Sequence, residues 1–306
     1  MRAYVGVTDR DWYETLINLP NLDEINFWQP GGQRQFSALD RGELFLLKLH
    51  SPYDFIVGGG LFSYSTLMQT SLVWGAFGDK NGASSLVEMR TRIEKYRKRQ
   101  TLTYEDYVIG NILLSQPFFF SRDAWIPIPS DWSPNIVSGK RYDLSTEPGR
   151  SIWIAISERL QRSSIWPEMQ DGDRRYGDPI FYTPRLGQGG FRVVVTDTYS
   201  RRCAITGERT LPVLEAAHIR PYAEGGEHKI SNGILFRSDI HTLFDQGFVT
   251  VDPNFRFEVS RRIREDFENG RDYYKLAGAH LNVPDDASKR PDIPLLRWHN
   301  EEKYLG

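Results

Sequence analysis

The chain has 306 residues, 40% of them hydrophobic and 13% aromatic, with 38 Lys and Arg against 40 Asp and Glu. That length admits two ordinary domains or one large one, and the apolar content excludes wholesale disorder. A formal net charge of −2 exerts no global pull on nucleic acid, so a phosphate-binding surface has to come from local basic clusters.

In chain order, Ala3-Tyr4-Val5-Gly6-Val7 reads as an opening strand and Asp9 to Leu19 as a helix. The runs 42–49 and 55–62 are β-rich, and the turn Ser51-Pro52-Tyr53-Asp54 between them predicts a hairpin. Gly58-Gly59-Gly60 lacks the Gly-Lys-Ser/Thr ending of a phosphate loop, so no nucleotide hydrolysis is expected. Met89 to Gln100 reads as a helix carrying Arg90, Arg92, Lys95, Arg97, Lys98 and Arg99, either a phosphate-tracking face or a solvated one. Residues 110–120 return to strand character, and the proline-rich 125–134 reads as extended chain on the surface.

Pro148 suits the first turn of a helix to about Arg162, with Ile152, Trp153, Ile156 and Leu160 at helical spacing. Pro, Gly and Asp then crowd residues 166–184, the pattern of an irregular connector. The resulting organisation is an α+β protein with domains over 1–145 and 186–306, joined by a helical and irregular linker over 146–185. No apolar run reaches the ~18 residues of a membrane span, and the N-terminus lacks a signal-peptide pattern. A cytoplasmic protein without a membrane partner is expected.

The last segment starts near Gly187 and holds the most informative pattern. Cys203, the single cysteine, excludes an intramolecular disulfide and the multi-cysteine zinc sites, and its flanks Ala204 and Ile205 suit a packed thiol. No structural zinc is expected. Leu211 to Ile219 reads as a strand ending at His218, and Ile234-Leu235-Phe236 as a second strand preceded by Asn232. Ser238 or Asp239 then caps a helix that carries His241 and Asp245 on one face. Of the remaining histidines, His50, His280 and His299 read as core or loop groups and His228 as a group in a charged loop, either solvated or touching phosphate.

Residues 199–252 resemble an HNH nuclease domain of the ββα-metal class, in the variant with Ala-Ala-His-Ile and His-x-Leu-Phe-Asp-x-Gly signatures. The resemblance rests on Cys203-Ala204-Ile205-Thr206-Gly207, Glu215-Ala216-Ala217-His218-Ile219, Asn232-Gly233 and His241-Thr242-Leu243-Phe244-Asp245-Gln246-Gly247. It implies that His218 is the general base, that Asn232 orients it, and that His241 ligates a divalent cation, Mg²⁺ or Mn²⁺. Many relatives carry a metal ligand immediately before the base, where this chain has Ala217. Asp245, Glu215 or water must supply that position. Arg201 and Arg202 before the motif, and Arg261, Arg262 and Arg264 after it, are candidate phosphate contacts.

The first 145 residues resemble the PUA-like superfamily that includes EVE, YTH and ASCH domains. The stretches concerned are Asn26-Phe27-Trp28-Gln29-Pro30, 36–48, 56–60 and Pro117-Phe118-Phe119-Phe120. The likeness implies a β-barrel with flanking helices that takes an everted modified base into an aromatic pocket. Trp28 and Trp74 are candidate walls, and Asp79 a candidate acceptor for a cytosine amine. Together the two halves imply modification-dependent cutting of double-stranded DNA bearing 5-methyl- or 5-hydroxymethylcytosine. A homodimer, or two sequential nicks, would be needed for a double-strand cut. The competing expectations are an HNH DNase that reads unmodified DNA and a non-cleaving regulator with a degenerate site.

Overall fold

A single long strand organises the first half of the chain. The computed structural model describes residues 1–97, 105–162 and 186–306. It divides into a unit spanning Met1–Arg185 and one spanning Leu186–Gly306. The first contains β1 (Arg2–Thr8), α1 (Arg10–Ile17), β2 (Glu24–Gln29), β3 (Leu44–Leu49), β4 (Phe55–Gln69), α2 (Thr70–Phe77) and α3 (Leu86–Glu94). It continues with β5 (Val108–Phe119), β6 (Ile126–Pro127), β7 (Gly139–Asp143) and α4 (Gly149–Arg162).

The strands form one mixed sheet in the order β2-β5-β4-β3-β1-β7, with β6 paired to β4. β1 and β3 run parallel, and the hairpin expected between β3 and β4 is present as an antiparallel pair. β4 is 15 residues long, about twice the expected run, because β5 pairs with it as far as Gln69. The protein is thus α+β, but the expected barrel is an open sheet: among the described residues no pairing joins β2 to β7. One apolar face of the sheet is covered by α4, whose Ile152, Ile156 and Leu160 join Val5, Leu46, Ile56, Phe118 and Tyr142 in one buried cluster. Alternation along the strands turns Phe45 to the opposite face, where it packs with Tyr4, Phe27 and Phe36.

Two local expectations change. The 125–134 stretch does not simply run over the surface, since Ile126 and Trp132 are buried in the same cluster. The basic helix begins at Leu86, where Ser85 accepts the Glu88 N–H and the Glu88 carboxylate accepts the Ser84 N–H, a reciprocal cap. Three of the expected basic residues are engaged internally, while Lys95 is exposed. Arg92 bonds Glu88 and the Gly82 carbonyl, Arg90 bonds the Glu105 carbonyl, and Arg97 bonds the Pro30 carbonyl and lies 4.1 Å above the Tyr107 ring. Lys98, Arg99 and the connector 166–184 lie outside the described residues.

The second unit contains α5 (Gln188–Thr198), β8 (Leu214–His218), β9 (Gly233–Arg237), α6 (Ser238–Asp245), β10 (Val249–Val251) and β11 (Phe257–Val259). It ends with α7 (Arg262–Phe267), α8 (Arg271–Tyr274) and α9 (Ile293–Glu302). β8 and β9 form one antiparallel pair, and β10 and β11 another. α9 secures the far end of α6. There, His299 is 2% exposed, stacks on Phe244 at 3.8 Å, donates from Nε2 to the Phe244 carbonyl and accepts from the Thr250 hydroxyl at Nδ1. Burial lowers its pKa to about 4, so it is a neutral core histidine. Among the described residues no helix is long and apolar enough to cross a membrane.

The glycine run 58–60 is strand, not phosphate loop, and permits close strand approach. A Cβ on Gly58 would lie 2.3 Å from the Phe118 carbonyl oxygen, a backbone atom that cannot swing aside. Gly58→Ala is therefore expected to cost about 1–3 kcal/mol. The check is a lower urea midpoint at unchanged m-value; an unaltered midpoint would contradict the packing described.

Candidate functional site

β8, β9 and α6 bring the three motif residues into one corner of the second unit. The β8–β9 register pairs Ala217 with Ile234 and His218 with Gly233, so His218 ends its strand directly opposite the residue after Asn232. Gly233 is required there by space, because a Cβ would meet Val195 of α5 at 2.5 Å. α6 starts without a side-chain cap. The expected capping by Ser238 or Asp239 does not occur, because Asp239 instead takes the Arg237 guanidinium in a two-pronged pair at 2.6 and 2.7 Å.

Side chains alternate along β8, so Leu214, Ala216 and His218 face one way and Glu215 and Ala217 the other. The contacts follow this split: His218 stacks on Phe191 of α5, and Glu215 reaches His241 of α6. Ala217 is fully buried. The position before His218 is therefore filled by packing, and the carboxylate on that face stands two residues earlier, at Glu215.

His241 lies between two carboxylates. Glu215 Oε2 is 2.6 Å from Nδ1, and Asp245 Oδ2 is 3.3 Å from Nε2. A carboxylate can only accept, so the tautomer with its hydrogen on Nδ1 donates to Glu215 and turns the Nε2 lone pair towards Asp245. This is the arrangement by which an outer carboxylate sets the tautomer of a metal-binding histidine. Two ligands at about 2.1 Å from an octahedral ion, at right angles, are about 3 Å apart. The Nε2 and Asp245 pair fits such a cation, with Glu215 as the orienting group. Among the described residues no set of three His, Cys, Asp or Glu side chains is gathered for a metal. The remaining positions would fall to water and phosphate oxygen, which suits a reluctantly dehydrated ion such as Mg²⁺. Desolvation, reinforced by Glu215, raises the Asp245 pKa, while His241 and Lys303 oppose the rise.

His218 lies flat against Phe191, with ring centroids 3.8 Å apart, and its Nε2 is 2.9 Å from Nδ1 of His228. His228 stacks in turn on Tyr222. Burial, and then the proximity of the His228 and His241 rings, which would repel a second positive charge when protonated, lowers the His218 pKa to about 4. The ring is neutral at ordinary pH, the state a general base requires. Phe191, Glu215, His218, His228, His241 and Asp245 all line one cavity of about 670 Å³.

Asn232 is 1% exposed and braces this corner. Its Oδ1 accepts the Arg220 N–H, and its Nδ2 donates to the carbonyls of Arg220 and Glu227, each at 2.9 Å. One side chain thus ties the segment after His218 to the segment before His228. Gly226 lets the loop close, since a Cβ there would fall 1.9 Å from the Arg220 carbonyl oxygen.

His228, for which the sequence predicts a solvated or phosphate-touching place in a charged loop, bonds His218 and lines the cavity. Only its place in the loop between the two strands, beside Gly225-Gly226, hinted at this. Phe191 and Tyr222 carried no sequence signal of a site role. Of the candidate phosphate contacts, Arg201 pairs with Asp197 at 2.9 Å, Arg202 is exposed, and Arg262 pairs with Asp266 at 3.1 Å. In the first unit, the three base-pocket candidates gather along the backbone around the turn 78–81. Trp28 is 8% exposed and donates its indole N–H to the Asn81 carbonyl, the Trp74 carbonyl accepts the Gly78 N–H, and Asp79 is exposed. Trp74 keeps some exposed surface, while Trp28 is packed as a core ring.

Two strands and a helix thus present His218 beside a His241 flanked by carboxylates. The residues that build this corner, 203–252, match the family HNH endonuclease. Comparison with curated proteins returns no match. Among solved structures, a modification-dependent TagI restriction endonuclease aligns at 13% identity and TM-score 0.31, over 98% of this chain and 81% of that one. A point mutant of the ZmASCH protein from Zymomonas mobilis aligns at 9% identity and TM-score 0.32, over 50% of this chain and 97% of that one.

Two measurements check the site. In an NMR titration the His218 ring is expected to protonate with a midpoint near pH 4, well below the ordinary value of about 6.5. A midpoint near 6.5 would show that the ring is solvated. Asn232→Ala leaves three backbone groups of Arg220 and Glu227 without their partner. A loss of roughly 2–3 kcal/mol in denaturant unfolding is expected, and a change below 0.5 kcal/mol would mean that the loop is held by other contacts.

Proposed function

We propose that the protein is a modification-dependent DNA endonuclease, in which the second unit hydrolyses phosphodiester bonds and the first reads modified cytosine. The observation that carries the nuclease part is the pairing, in one cavity, of neutral His218 with a His241 that lies 2.6 Å from Glu215 at Nδ1 and 3.3 Å from Asp245 at Nε2. The reader part rests on the PUA-like sequence resemblance of residues 1–145, with Trp74 and Asp79 as the candidates that retain accessible surface.

In this reading His218 accepts a proton from water as the water oxygen bonds to phosphorus and the 3′-oxygen leaves. His241 and Asp245 would hold the divalent ion, Mg²⁺ or Mn²⁺. Its chemistry there is to polarise the scissile phosphate and offset charge on the leaving oxygen. Glu215 keeps the His241 proton on Nδ1, and Phe191 fixes the plane of the His218 ring. Arg202 is the candidate for a DNA backbone contact, and a homodimer is the assembly that would cut both strands together.

The test is cleavage of otherwise identical duplexes carrying cytosine, 5-methylcytosine or 5-hydroxymethylcytosine, with Mg²⁺ or Mn²⁺. Cutting confined to modified duplexes is expected, with a loss of about 10²–10⁴-fold in His218→Ala. Equal cutting of all three would replace the modified-base reader by an ordinary DNase, and undiminished cutting by His218→Ala would remove the base from its role.

A further inference from the structure

We infer that His228 is a positioning residue for the reaction: it accepts a hydrogen bond from Nε2–H of His218 and so makes Nδ1 the nitrogen that takes the proton from water. The inference rests on the reading of His218 as base. A neutral imidazole has one N–H and one lone pair, and a base must present the lone pair to its substrate. Among the described residues His218 makes its hydrogen bond through Nε2, at 2.9 Å from Nδ1 of His228. If His228 donated, the only lone pair of His218 would be occupied and the ring would offer water an N–H. If His228 accepts, Nδ1 is left with the lone pair.

The surroundings hold His228 to this task. Its ring is parallel to that of Tyr222, at 3° and 4.9 Å between centroids, and meets the His218 ring at 62°. Asn232 fixes the carbonyl of the preceding residue, Glu227, with the same amide that fixes Arg220, so both ends of the His218–His228 contact are tied to one side chain. The order is that of a catalytic triad: a reacting water, a base, and a third group that sets the tautomer of the base. The third group here is an imidazole nitrogen in place of a carboxylate. When His218 takes the proton on Nδ1 it becomes an imidazolium whose Nε2–H still points at the His228 lone pair, and that bond strengthens as the charge develops.

Two variants separate this role from a stacking role. His228→Asn keeps an acceptor near the position of Nδ1 and removes the ring, whereas His228→Phe keeps a ring against Tyr222 and removes the acceptor. In single-turnover cleavage of the preferred duplex, His228→Phe is expected to lose about 100-fold in rate with little change in DNA affinity, and His228→Asn to stay within about tenfold of the unaltered protein. Long-range ¹H–¹⁵N spectra of histidine-labelled protein read the tautomer without any cleavage. The unaltered protein should show His218 protonated at Nε2, and His228→Phe a mixture of both tautomers. A His218 protonated at Nδ1 in the unaltered protein, or a fully active His228→Phe, overturns the inference. Failure of the unaltered protein to cut any duplex overturns the nuclease reading instead, and leaves the tautomer to be judged from the spectra.

Discussion

Asn232 has one carbonyl and one amide group to offer, and the loop between β8 and β9 uses both. Its three bonds hold Arg220 and Glu227 in fixed relation, and these flank the two histidines that meet at 2.9 Å. The other features of the corner depend on that brace. The Phe191 stack orients His218 only if the backbone after His218 is fixed, and the Tyr222 stack orients His228 only if the returning strand is. A buried amide suits the place because it supplies both an acceptor and donors without burying a charge.

The second constraint is the directionality of imidazole. His241 and His218 each have two ring nitrogens, and the structure gives each pair different neighbours. Glu215 takes one side of His241 and Asp245 stands at the other; His228 takes one side of His218 and the cavity receives the ring. Both rings are set by a group outside the reacting positions. In the proposed reaction the chemistry would thus depend on Glu215 and His228, which no minimal description of an HNH triplet contains.

Much of this corner was legible in sequence because it is local. Strand alternation, the loop glycines and the four-residue spacing of His241 and Asp245 each follow from short-range geometry, and all lie within about 30 residues. The role of position 217 was not legible. It depends on the two-residue repeat of β8, which places Glu215 on the same face. His228 was missed because nothing in a charged loop says where a ring will fold back. In the first unit, the length of β4 and the open sheet were missed for a different reason. Pairing partners of a strand lie far away in sequence, and a run such as Ser63 to Gln69 reads as strand only beside β5. The burial of Trp28 was equally invisible, since an aromatic residue in a strand looks the same whether it lines a pocket or fills a core.

The family match ends at residue 252, and every residue assigned to the cavity's chemistry lies before that point. The helix that carries His241 and Asp245 nevertheless has its last turn capped from outside the match. His299 holds the Phe244 carbonyl, and the Leu305 N–H bonds the carbonyl of Gly247 just beyond the helix. The recognisable motif and the cooperative folding unit therefore have different boundaries. A fragment cut at the end of the motif would contain the whole inventory of reacting groups and lack the part that keeps α6 in register with β8. Transplanting this chemistry to another scaffold would require the last helix as well, and Lys303, which caps that helix, lines the cavity itself.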